Sequence, residues 1–314
     1  MKVLIDTDPG MDDALALSLA HKSSALEVVA VTAVTGNLPS DRTVANALRI
    51  LDLLDAPAIP VAQGPLVPLG GHYPSDPFSH GSDGLAESHL PDSSRPVDGR
   101  SAAQLIVDIV DRHAGDIALC ALGPLTNIAQ ALELDPDLPS KVSRLTIIGG
   151  SFGATPYAWS QATGDNPTSE WNVFVDPEAA ALVFTAGFPM LAVGLDVATH
   201  PLINFRDGDM ERLRASTRPE AQLAVRVVDF VQGRGYQSYC SLIDSVAVAS
   251  LIDPGLVTTE SVLCAVETEG RLTRGMTVVD RRAHHAWDDL PRIEIAVDLD
   301  YARFLDLVTA ELTR

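Results

Sequence analysis

Four aspartates within eight residues, close to the start of the chain, are the first side chains with clear chemical potential: Asp6, Asp8, Asp12 and Asp13. They lie at the end of a strand-like apolar run and just beyond it. Carboxylates crowded beside a buried strand raise one another's pKa, and burial raises it further. Helix capping would account for Asp12 and Asp13, because carboxylates stabilise the first turn of a helix. It leaves Asp6 and Asp8 unexplained, whereas a bound divalent cation would stabilise the whole group.

The donor atoms of this aspartate group indicate the kind of cation. All of them are oxygens, with no His or Cys in the same segment, which favours Ca²⁺ or Mg²⁺ over zinc. The turn at Pro9-Gly10 allows Asp8 and Asp13 to fold back towards one point. Aspartate-nucleophile phosphatases of the haloacid dehalogenase type also begin with a strand followed by Asp-x-Asp. Their chemistry requires neither Pro9-Gly10 nor the two further aspartates, so this is the weaker hypothesis.

Short apolar runs alternate with segments of helical periodicity along the chain. The predicted strands are Val3–Asp6, Val28–Val34, Ile59–Ala62, Ile117–Leu122, Leu145–Ile148 and Met190–Val193. The predicted helices between them are Asp13–His21, Arg42–Leu54, Ala102–His113, Leu125–Glu133 and Pro177–Ala186. The remaining predictions are helices Arg218–Gln232 and Ser245–Leu251, strands Val262–Val266, Met276–Val279 and Arg292–Val297, and a closing helix, Tyr301–Leu312. Strands that lack polar alternation and are separated by helices indicate a mostly parallel sheet covered on both faces. We therefore predict an α/β fold, a doubly wound (Rossmann-like) sheet flanked by helices, in a single domain spanning residues 1–314.

Polar residues follow several of the predicted strands directly. Thr35-Gly36-Asn37 follows the second strand, Gly123-Pro124-Leu125-Thr126-Asn127 follows the strand that ends at Leu122, and Gly149-Gly150 follows the next. Ligands of parallel α/β folds bind beyond the carboxyl ends of the strands, so these segments are expected to meet in one crevice, the active site. The Pro-, Gly- and Ser-rich segment 72–100 is predicted to be a long loop, and loops of that length are usually functional or mobile.

Composition excludes several classes of partner. Asp and Glu outnumber Lys and Arg by 42 to 22, a formal net charge of -20, which repels phosphate backbones and anionic lipid. Neither nucleic acid nor a membrane is therefore an expected partner, whereas small uncharged substrates are compatible. The three cysteines show no CxxC spacing and predict no disulfide framework or zinc cluster. The sequence shows no leader-like segment and no apolar run of membrane-spanning length, so a cytoplasmic protein is expected.

The segment Asp6-Thr7-Asp8-Pro9-Gly10-Met11-Asp12-Asp13-Ala14 resembles the N-terminal signature of the nucleoside hydrolases. Further motifs resemble that family in the same order: Thr35-Gly36-Asn37, His80-Gly81-Ser82-Asp83-Gly84-Leu85, Gly123-Pro124-Leu125-Thr126-Asn127, Glu170-Trp171-Asn172 and Asp176-Pro177-Glu178-Ala179-Ala180. The resemblance covers roughly residues 1 to 250, and several independent motifs together make it specific.

The resemblance implies a Ca²⁺ site. Asp8 and Asp13 would bind the ion, with the backbone carbonyl of Leu122 and a carboxylate of Asp244 completing the protein ligands. Asp8 would also orient and deprotonate the attacking water as catalytic base. Taken from the residues alone, Asp244 could instead be a helix cap.

The resemblance also implies a ribose site. Asp12, Asn37, Glu170 and Asn172 would hold the sugar hydroxyls. Taken singly, Asn37 could be a turn residue, and Glu170 and Asn172 could be solvated loop residues. A further ribose contact is expected from Asn166, although Asp165 could take that place because the spacing to Glu170 departs from the family pattern.

One departure concerns the nucleobase end of the site. Members of the inosine-uridine type carry His before the last calcium aspartate, and this chain has Ile243, which cannot protonate a leaving base. His80 is expected to substitute as a catalytic residue, with a surface histidine as the alternative. Tyr236, Tyr239 and Trp171 are expected to contact the base, with helix packing as the alternative for the two tyrosines.

These observations predict hydrolysis of the N-glycosidic bond of an unphosphorylated ribonucleoside, giving ribose and free base with inversion at C1′. The expected cofactor is Ca²⁺ and the expected assembly is a homo-oligomer, a dimer or tetramer, as in the family. The choice between purine and pyrimidine stays open. One alternative, prompted by Ile243, is a calcium- and ribose-binding protein with weak or no catalysis, and the other is the phosphatase.

Overall fold

A nine-stranded sheet forms the centre of the fold in the computed structural model, which describes residues 1–76, 79–284, 287 and 289–314. In chain order the strands are β1 Lys2–Thr7, β2 Glu27–Ala33, β3 Val61–Gln63, β4 Ile117–Ala121, β5 Arg144–Ile148, β6 Met190–Val193, β7 Val257–Val266, β8 Thr277–Asp280 and β9 Arg292–Leu299. Their order across the sheet is β3-β2-β1-β4-β5-β6-β9-β7-β8. The seven strands from β3 to β9 in that order are parallel, and β7 and β8 extend the sheet as antiparallel strands.

Helices cover both faces of this sheet. They are α1 Met11–Lys22, α2 Ser40–Leu53, α3 Ala102–Arg112, α4 Thr126–Leu134, α5 Leu138–Lys141, α6 Tyr157–Ser160, α7 Trp171–Val175, α8 Pro177–Thr185, α9 Leu195–Ala198, α10 Asp207–Ala215, α11 Pro219–Gly233, α12 Ile243–Ile252 and α13 Tyr301–Thr313. Short 3-10 turns occur at Pro201–Ile203, Ser238–Ser241 and Pro254–Leu256. None of the helices within the described residues is long and apolar enough to cross a bilayer.

Alternate residues of the central strand β1 belong to two separate cores. Val3 and Ile5 pack into a cluster formed with α1, α2, α11, α12 and α13, whereas Leu4 packs into a cluster formed with α3, α4 and α8. Successive side chains of a strand point to opposite faces, so a strand buried on both faces must be apolar throughout. The predicted α/β fold with a mostly parallel, doubly covered sheet is confirmed.

Most predicted elements are present, and their bounds differ for local reasons. Helix α1 begins at Met11 rather than Asp13, because the Asp13 carboxylate accepts a hydrogen bond from the backbone N–H of Gly10 at 2.9 Å. Asp12 and Asp13 therefore lie inside the first turn. Strand β3 is shorter than predicted and begins after Pro60, which has no N–H to donate to a neighbouring strand.

Two helices bring distant acidic residues to one end of the sheet. Helix α1 follows β1 directly, and α12 packs against α1 although it is separated from it by more than 200 residues of chain. Asp244 lies in the first turn of α12 and Asp13 in the first turn of α1. The segment 72–100 contains no helix or strand among its described residues, as predicted, and it approaches the same end of the sheet.

Candidate active site

A cavity of about 430 Å³ opens beyond the carboxyl ends of the central parallel strands. The predicted site residues on its wall are Asp12, Asn37, His80, Leu122, Glu170, Trp171, Asn172, Tyr236, Tyr239 and Asp244. Asp8 and Asp13 lie just beneath the wall, where they are 1% and 0% exposed. The structure therefore brings twelve of the thirteen predicted residues to one place, although they come from positions 8 to 244.

The centre of the site is a group of buried carboxylates. Ligand oxygens of Asp12, Asp13 and Asp244 all lie within 4.8 Å of one another. Asp8 lies beside this group. The charge of Asp8 raises the pKa of Asp244, and the charges of Asp13 and Asp12 raise the pKa of Asp8. The family resemblance assigned Asp12 to the ribose and not to the cation. In the structure Asp12 lies in the carboxylate group, so the group contains one aspartate more than the predicted cation ligands.

Backbone and amide donors hold two of these carboxylates in place. Asp13 accepts from the Thr7 hydroxyl at 2.5 Å, from Gly10 N–H at 2.9 Å and from Asn37 Nδ2 at 3.2 Å. Asp8 Oδ2 accepts from Asn37 N–H at 2.6 Å. Asn37 therefore joins the two aspartates through hydrogen bonds. The alternative interpretation of Asn37 as a simple turn residue does not account for these contacts.

Electrostatics make a bound cation the natural partner of this group. Burial, followed by neighbouring negative charge, raises the pKa of Asp8 and Asp244 well above the ordinary value, and burial raises the pKa of Asp12 to about 6. Among the described residues, no Lys or Arg forms an ion pair with Asp8, Asp12, Asp13 or Asp244, and only His80 approaches, with Nδ1 3.7 Å from Asp12 Oδ1. Asp8 Oδ1 and Asp12 Oδ1 are buried and have no hydrogen-bond partner within the described part of the chain. An all-oxygen set with orphaned buried carboxylate atoms fits a hard divalent cation.

Glu170 and Asn172 form another part of the cavity wall and are 4% and 8% exposed. The interpretation of these two residues as solvated loop residues is therefore wrong. Glu170 caps α7 by accepting from Asn172 N–H at 2.8 Å and Val173 N–H at 3.0 Å, and it also accepts from Gly150 N–H at 3.1 Å. Burial raises the pKa of Glu170 to about 7. Asn172 Nδ2 donates to the carbonyl of Leu122 at 2.7 Å, which leaves Oδ1 as its acceptor on the cavity wall.

His80 is fixed rather than mobile. Its Nδ1 accepts a hydrogen bond from Met11 N–H at 3.2 Å, and its side chain is 13% exposed. Because Nδ1 accepts, the ring proton lies on Nε2. Burial lowers the pKa of His80, with Asp13 opposing the shift. The ring is therefore a neutral hydrogen-bond donor on the cavity wall, and it is a poor source of a transferable proton.

The cavity wall also contains polar residues that the sequence did not identify. Gln161, Thr163, Arg234 and Cys240 line the same cavity as Ile243. Arg234 lies 5.1 Å from the ring centroid of Phe230 and donates to the carbonyl of Ser79 at 3.2 Å. None of these residues belongs to a recognisable motif, although Arg234 lies two positions after the predicted helix Arg218–Gln232.

Asn166 is the predicted site residue that the structure does not bring to the cavity. Its Nδ2 donates to the carbonyl of Arg274 at 2.9 Å, and its Oδ1 accepts from Thr168 N–H and Oγ1. The amide thus stabilises its own loop, and this position does not support the predicted ribose contact. Asp165 is exposed and does not line the cavity either. Trp159, earlier in the same part of the chain, is 52% exposed, packs over Gly153 and does not line the cavity.

Comparison with known proteins gives one consistent family. Residues 3–306 match the family model described as inosine-uridine preferring nucleoside hydrolase. The chain is 36% identical to a pyrimidine-specific ribonucleoside hydrolase, RihA, of Klebsiella pneumoniae subsp. pneumoniae, over 99% of this chain and 98% of that protein. Among solved structures it is similar to a plant nucleoside hydrolase, the PpNRh1 enzyme (TM-score 0.89, 32% identity, covering 99% and 98% of the two chains). It is also similar to a purine-preferring ribonucleoside hydrolase from Gardnerella vaginalis (TM-score 0.87, 30% identity, 100% and 98%).

The buried carboxyls predict how stability depends on pH when cations are removed. Burial raises the pKa of Asp6 to about 7, of Asp12 to about 6 and of Glu170 to about 7 in the folded protein. A carboxyl whose pKa is raised in the folded protein stabilises the fold while it is protonated. This contribution is fully present below the pKa of the unfolded chain, ~4, and is lost as the pH rises through the folded values of 6 to 7. In a chelator, the midpoint of thermal unfolding should therefore fall between pH 5 and pH 8.

Glu170→Gln should make this decrease smaller, by an amount of order 1–3 kcal/mol in unfolding free energy. Asp165→Asn, at an exposed carboxyl in the same segment, is the matched control and should leave the pH dependence unchanged. A chelated wild-type protein whose midpoint is flat or rises over this range would contradict the assignment.

Gly36 predicts a second result, because a side chain there would displace Asp8. A Cβ at this position would lie 2.0 Å from Asp8 Oδ2 and 2.6 Å from Pro124 Cδ. Gly36→Ala should weaken Ca²⁺ binding by about 10–100-fold in calorimetry, the usual effect of disturbing a residue that supports a metal site. Gly99→Ala, where a Cβ would meet nothing within 4 Å, is the control. Equal affinities for the two variants would argue against Asp8 as a ligand.

Proposed function

The chain belongs to the nucleoside hydrolase family, and we propose that it hydrolyses the N-glycosidic bond of ribonucleosides to ribose and free base. The observation that supports this function best is the buried aspartate group beneath a cavity whose other wall carries Glu170 and Asn172. Carboxylates and amides placed around a cavity of this size suit a polyhydroxylated, uncharged ligand. A 5′-phosphate would face mainly negative charge, so the unphosphorylated nucleoside is the proposed substrate.

The proposed cofactor is Ca²⁺, held by Asp8, Asp13, Asp244 and the backbone carbonyl of Leu122, with Asp12 alongside. Calcium accepts many oxygen ligands in flexible geometry, which suits carboxylates and a sugar diol together. When bound, such an ion offsets the carboxylate charge and lowers the pKa of water.

Asp8 is the proposed base. Asn37 N–H fixes its Oδ2, and Oδ1 is buried without a hydrogen-bond partner within the described residues. Oδ1 can therefore orient the attacking water and accept its proton while Oδ2 keeps the carboxylate from turning. Water that attacks C1′ from the face opposite the base inverts the anomeric centre.

The ribose is proposed to lie between the two walls of the cavity. Asp12 and Asn37 would hold hydroxyls from the acidic side, and Glu170 and Asn172 Oδ1 from the other side. Positive charge develops at C1′ as the bond breaks, and the nearby carboxylates stabilise it. Glu170 accepts three backbone N–H bonds, so its position is preset before the sugar binds.

The nucleobase is proposed to occupy the end of the cavity near Ile243. Trp171, Tyr236 and Tyr239 would supply its stacking and edge contacts, and His80 would donate a hydrogen bond from Nε2. Tyr236 is 59% exposed, which places it at the mouth rather than deep in the cavity.

The remaining parts of the proposal rest on the family resemblance. They are one domain over residues 1–314, a role in nucleoside salvage in the cytoplasm, and assembly into a dimer or tetramer. The single sheet that includes strands from residue 2 to residue 299 supports the first part. The net charge of -20 supports the absence of nucleic acid and membrane partners.

A second candidate function is supported by Ile243, which lines the cavity at the position of the family histidine. In that case the protein binds calcium and ribose and catalyses weakly or not at all. Retained ribose binding without release of base from any nucleoside would favour this candidate.

The direct test is steady-state release of base from a panel of purine and pyrimidine ribonucleosides, with and without a calcium chelator. Turnover should occur with at least one nucleoside and should stop in the chelator. Asp8→Asn should lower kcat by about 10²–10⁴-fold, the usual contribution of a general base, with the fold unchanged. Asp165→Asn is the matched control and should keep wild-type rates. Wild-type rates in Asp8→Asn, or full activity in the chelator, would refute the assigned mechanism.

A further inference from the structure

A hydrogen-bonded pair, Tyr239 and Gln161, lines the cavity near Ile243. The Tyr239 hydroxyl donates to Gln161 Oε1 at 2.8 Å, although the two residues are 78 positions apart. Both lie on the cavity wall. Gln161 ends the four-residue helix α6, and Tyr239 lies in the 3-10 turn that precedes α12.

The tyrosine side of this pair is fixed by its own contacts. Tyr239 N–H and the Ser238 hydroxyl both donate to Asn204 Oδ1, at 3.0 Å and 3.1 Å. Burial raises the pKa of the Tyr239 phenol above its ordinary value, so the phenol keeps its proton and remains a donor. In the structure the phenol donates to the Gln161 amide, whose oxygen faces the tyrosine and whose nitrogen therefore points away from it.

The other end of that amide is therefore a hydrogen-bond donor. Nε2 of Gln161 makes no hydrogen bond to any residue that the structure describes. Gln161 is partly exposed on the cavity wall, so this donor group remains available to a ligand.

This position matters because the leaving base needs support there. As the bond from C1′ to the base nitrogen breaks, its electron pair goes to the base, which becomes anionic unless it is protonated. Ile243 has no ionisable group, and the neutral ring of His80 can give a hydrogen bond from Nε2 but is a poor source of a transferable proton, so neither residue protonates the base. A uracil or hypoxanthine anion spreads its charge onto an exocyclic carbonyl oxygen, where a neutral donor can stabilise it.

We infer that Gln161 is a catalytic residue of the proposed hydrolysis, which donates from Nε2 to a carbonyl oxygen of the departing base. Tyr239 is the positioning residue, because its hydroxyl holds the amide with Nε2 directed away from the tyrosine. The inference rests on the proposed function and names the leaving-group chemistry of the same site. Water supplies the hydroxyl that bonds to C1′ and gives its proton to Asp8. The base leaves with the electron pair of the broken bond and takes a proton from solvent afterwards.

The geometry also selects between classes of base. In this proposal the contacted carbonyl oxygen is O4 of uracil or O6 of hypoxanthine, which accepts from Nε2. Cytosine and adenine present an amino group at that position, and two donors cannot pair. Uridine and inosine should therefore react faster than cytidine and adenosine. The reversed amide would offer its oxygen and would favour the amino bases instead.

The test compares uridine, cytidine and p-nitrophenyl β-D-ribofuranoside, whose nitrophenolate carries its charge without help from the protein. Gln161→Met keeps the length of the side chain and removes the donor. It should lower kcat on uridine by about 10²-fold, the usual effect of removing one donor to a developing charge. Turnover of the nitrophenyl riboside should stay within about threefold of wild type. Gln232→Met, at an exposed residue of α11 outside the cavity, is the matched control.

Tyr239→Phe tests the positioning role through a ratio that a loss of stability would not change. Without the phenol the amide can turn, so the uridine to cytidine ratio of kcat/KM should fall by about tenfold, the value of one hydrogen bond. Equal losses on all three substrates in both variants, or wild-type cytidine turnover faster than uridine, would overturn the inference. Those results leave nucleoside hydrolysis standing, whereas a wild-type enzyme that acts on none of the three substrates and on no nucleoside of the purine and pyrimidine panel would refute the proposed function itself.

Discussion

The site depends on one costly arrangement, four carboxylates buried together with no lysine or arginine paired to them in the part of the chain that the structure describes. Asp8, Asp12, Asp13 and Asp244 are at most 8% exposed, and within the described residues no lysine or arginine pairs with them. Buried like charges destabilise a fold unless something of opposite sign offsets them. Hydrogen-bond donors do part of this at Asp13 and at Asp8 Oδ2, and the oxygens of Asp8 and Asp12 that have no partner among the described residues are the part that a bound cation would complete.

Much of the surrounding structure can be understood as support for that arrangement. Gly36 and Gly123 stand against the two oxygens of Asp8, where any side chain would collide with the carboxylate. Asn172 donates to the carbonyl of Leu122, so one hydrogen bond joins the loop of Glu170 and Asn172 to the end of strand β4. Helix α12 packs against α1 and brings Asp244 to Asp13, which makes the docking of these two helices a condition for the site to exist.

Sequence reasoning succeeded where the signal was local. Long apolar runs predicted the parallel strands, and the early aspartates predicted an acidic group that could hold a cation, because both patterns act over a few residues. The prediction that Asp244 lies near Asp13 came only from the family resemblance, because no sequence pattern over a few residues connects the two positions. The place of Asp12 beside Asp13 and Asp244 depends on how two helices dock, which spacing does not encode.

Loops and very short helices limited the prediction most. Helix α6 has four residues, too few to show periodicity, so Gln161 could not be identified and its contact with Tyr239 joins two segments far apart in sequence. Asn166 was expected near ribose from spacing alone, and instead it bonds within its own loop and to Arg274. A polar residue in a loop can bind a ligand or stabilise the loop, and only the tertiary contacts separate the two.

The claim that the buried carboxylates hold a cation is tested most directly by calorimetric titration of Ca²⁺ into chelator-treated protein. The titration is repeated at pH 6 and pH 8 in buffers of different ionisation enthalpy. The raised pKa values mean that some of these carboxyls hold protons at pH 6 that a cation must displace. The account predicts one ion per chain, with protons released at pH 6 and fewer released at pH 8. Absence of binding, or binding at pH 6 without proton release, would contradict it.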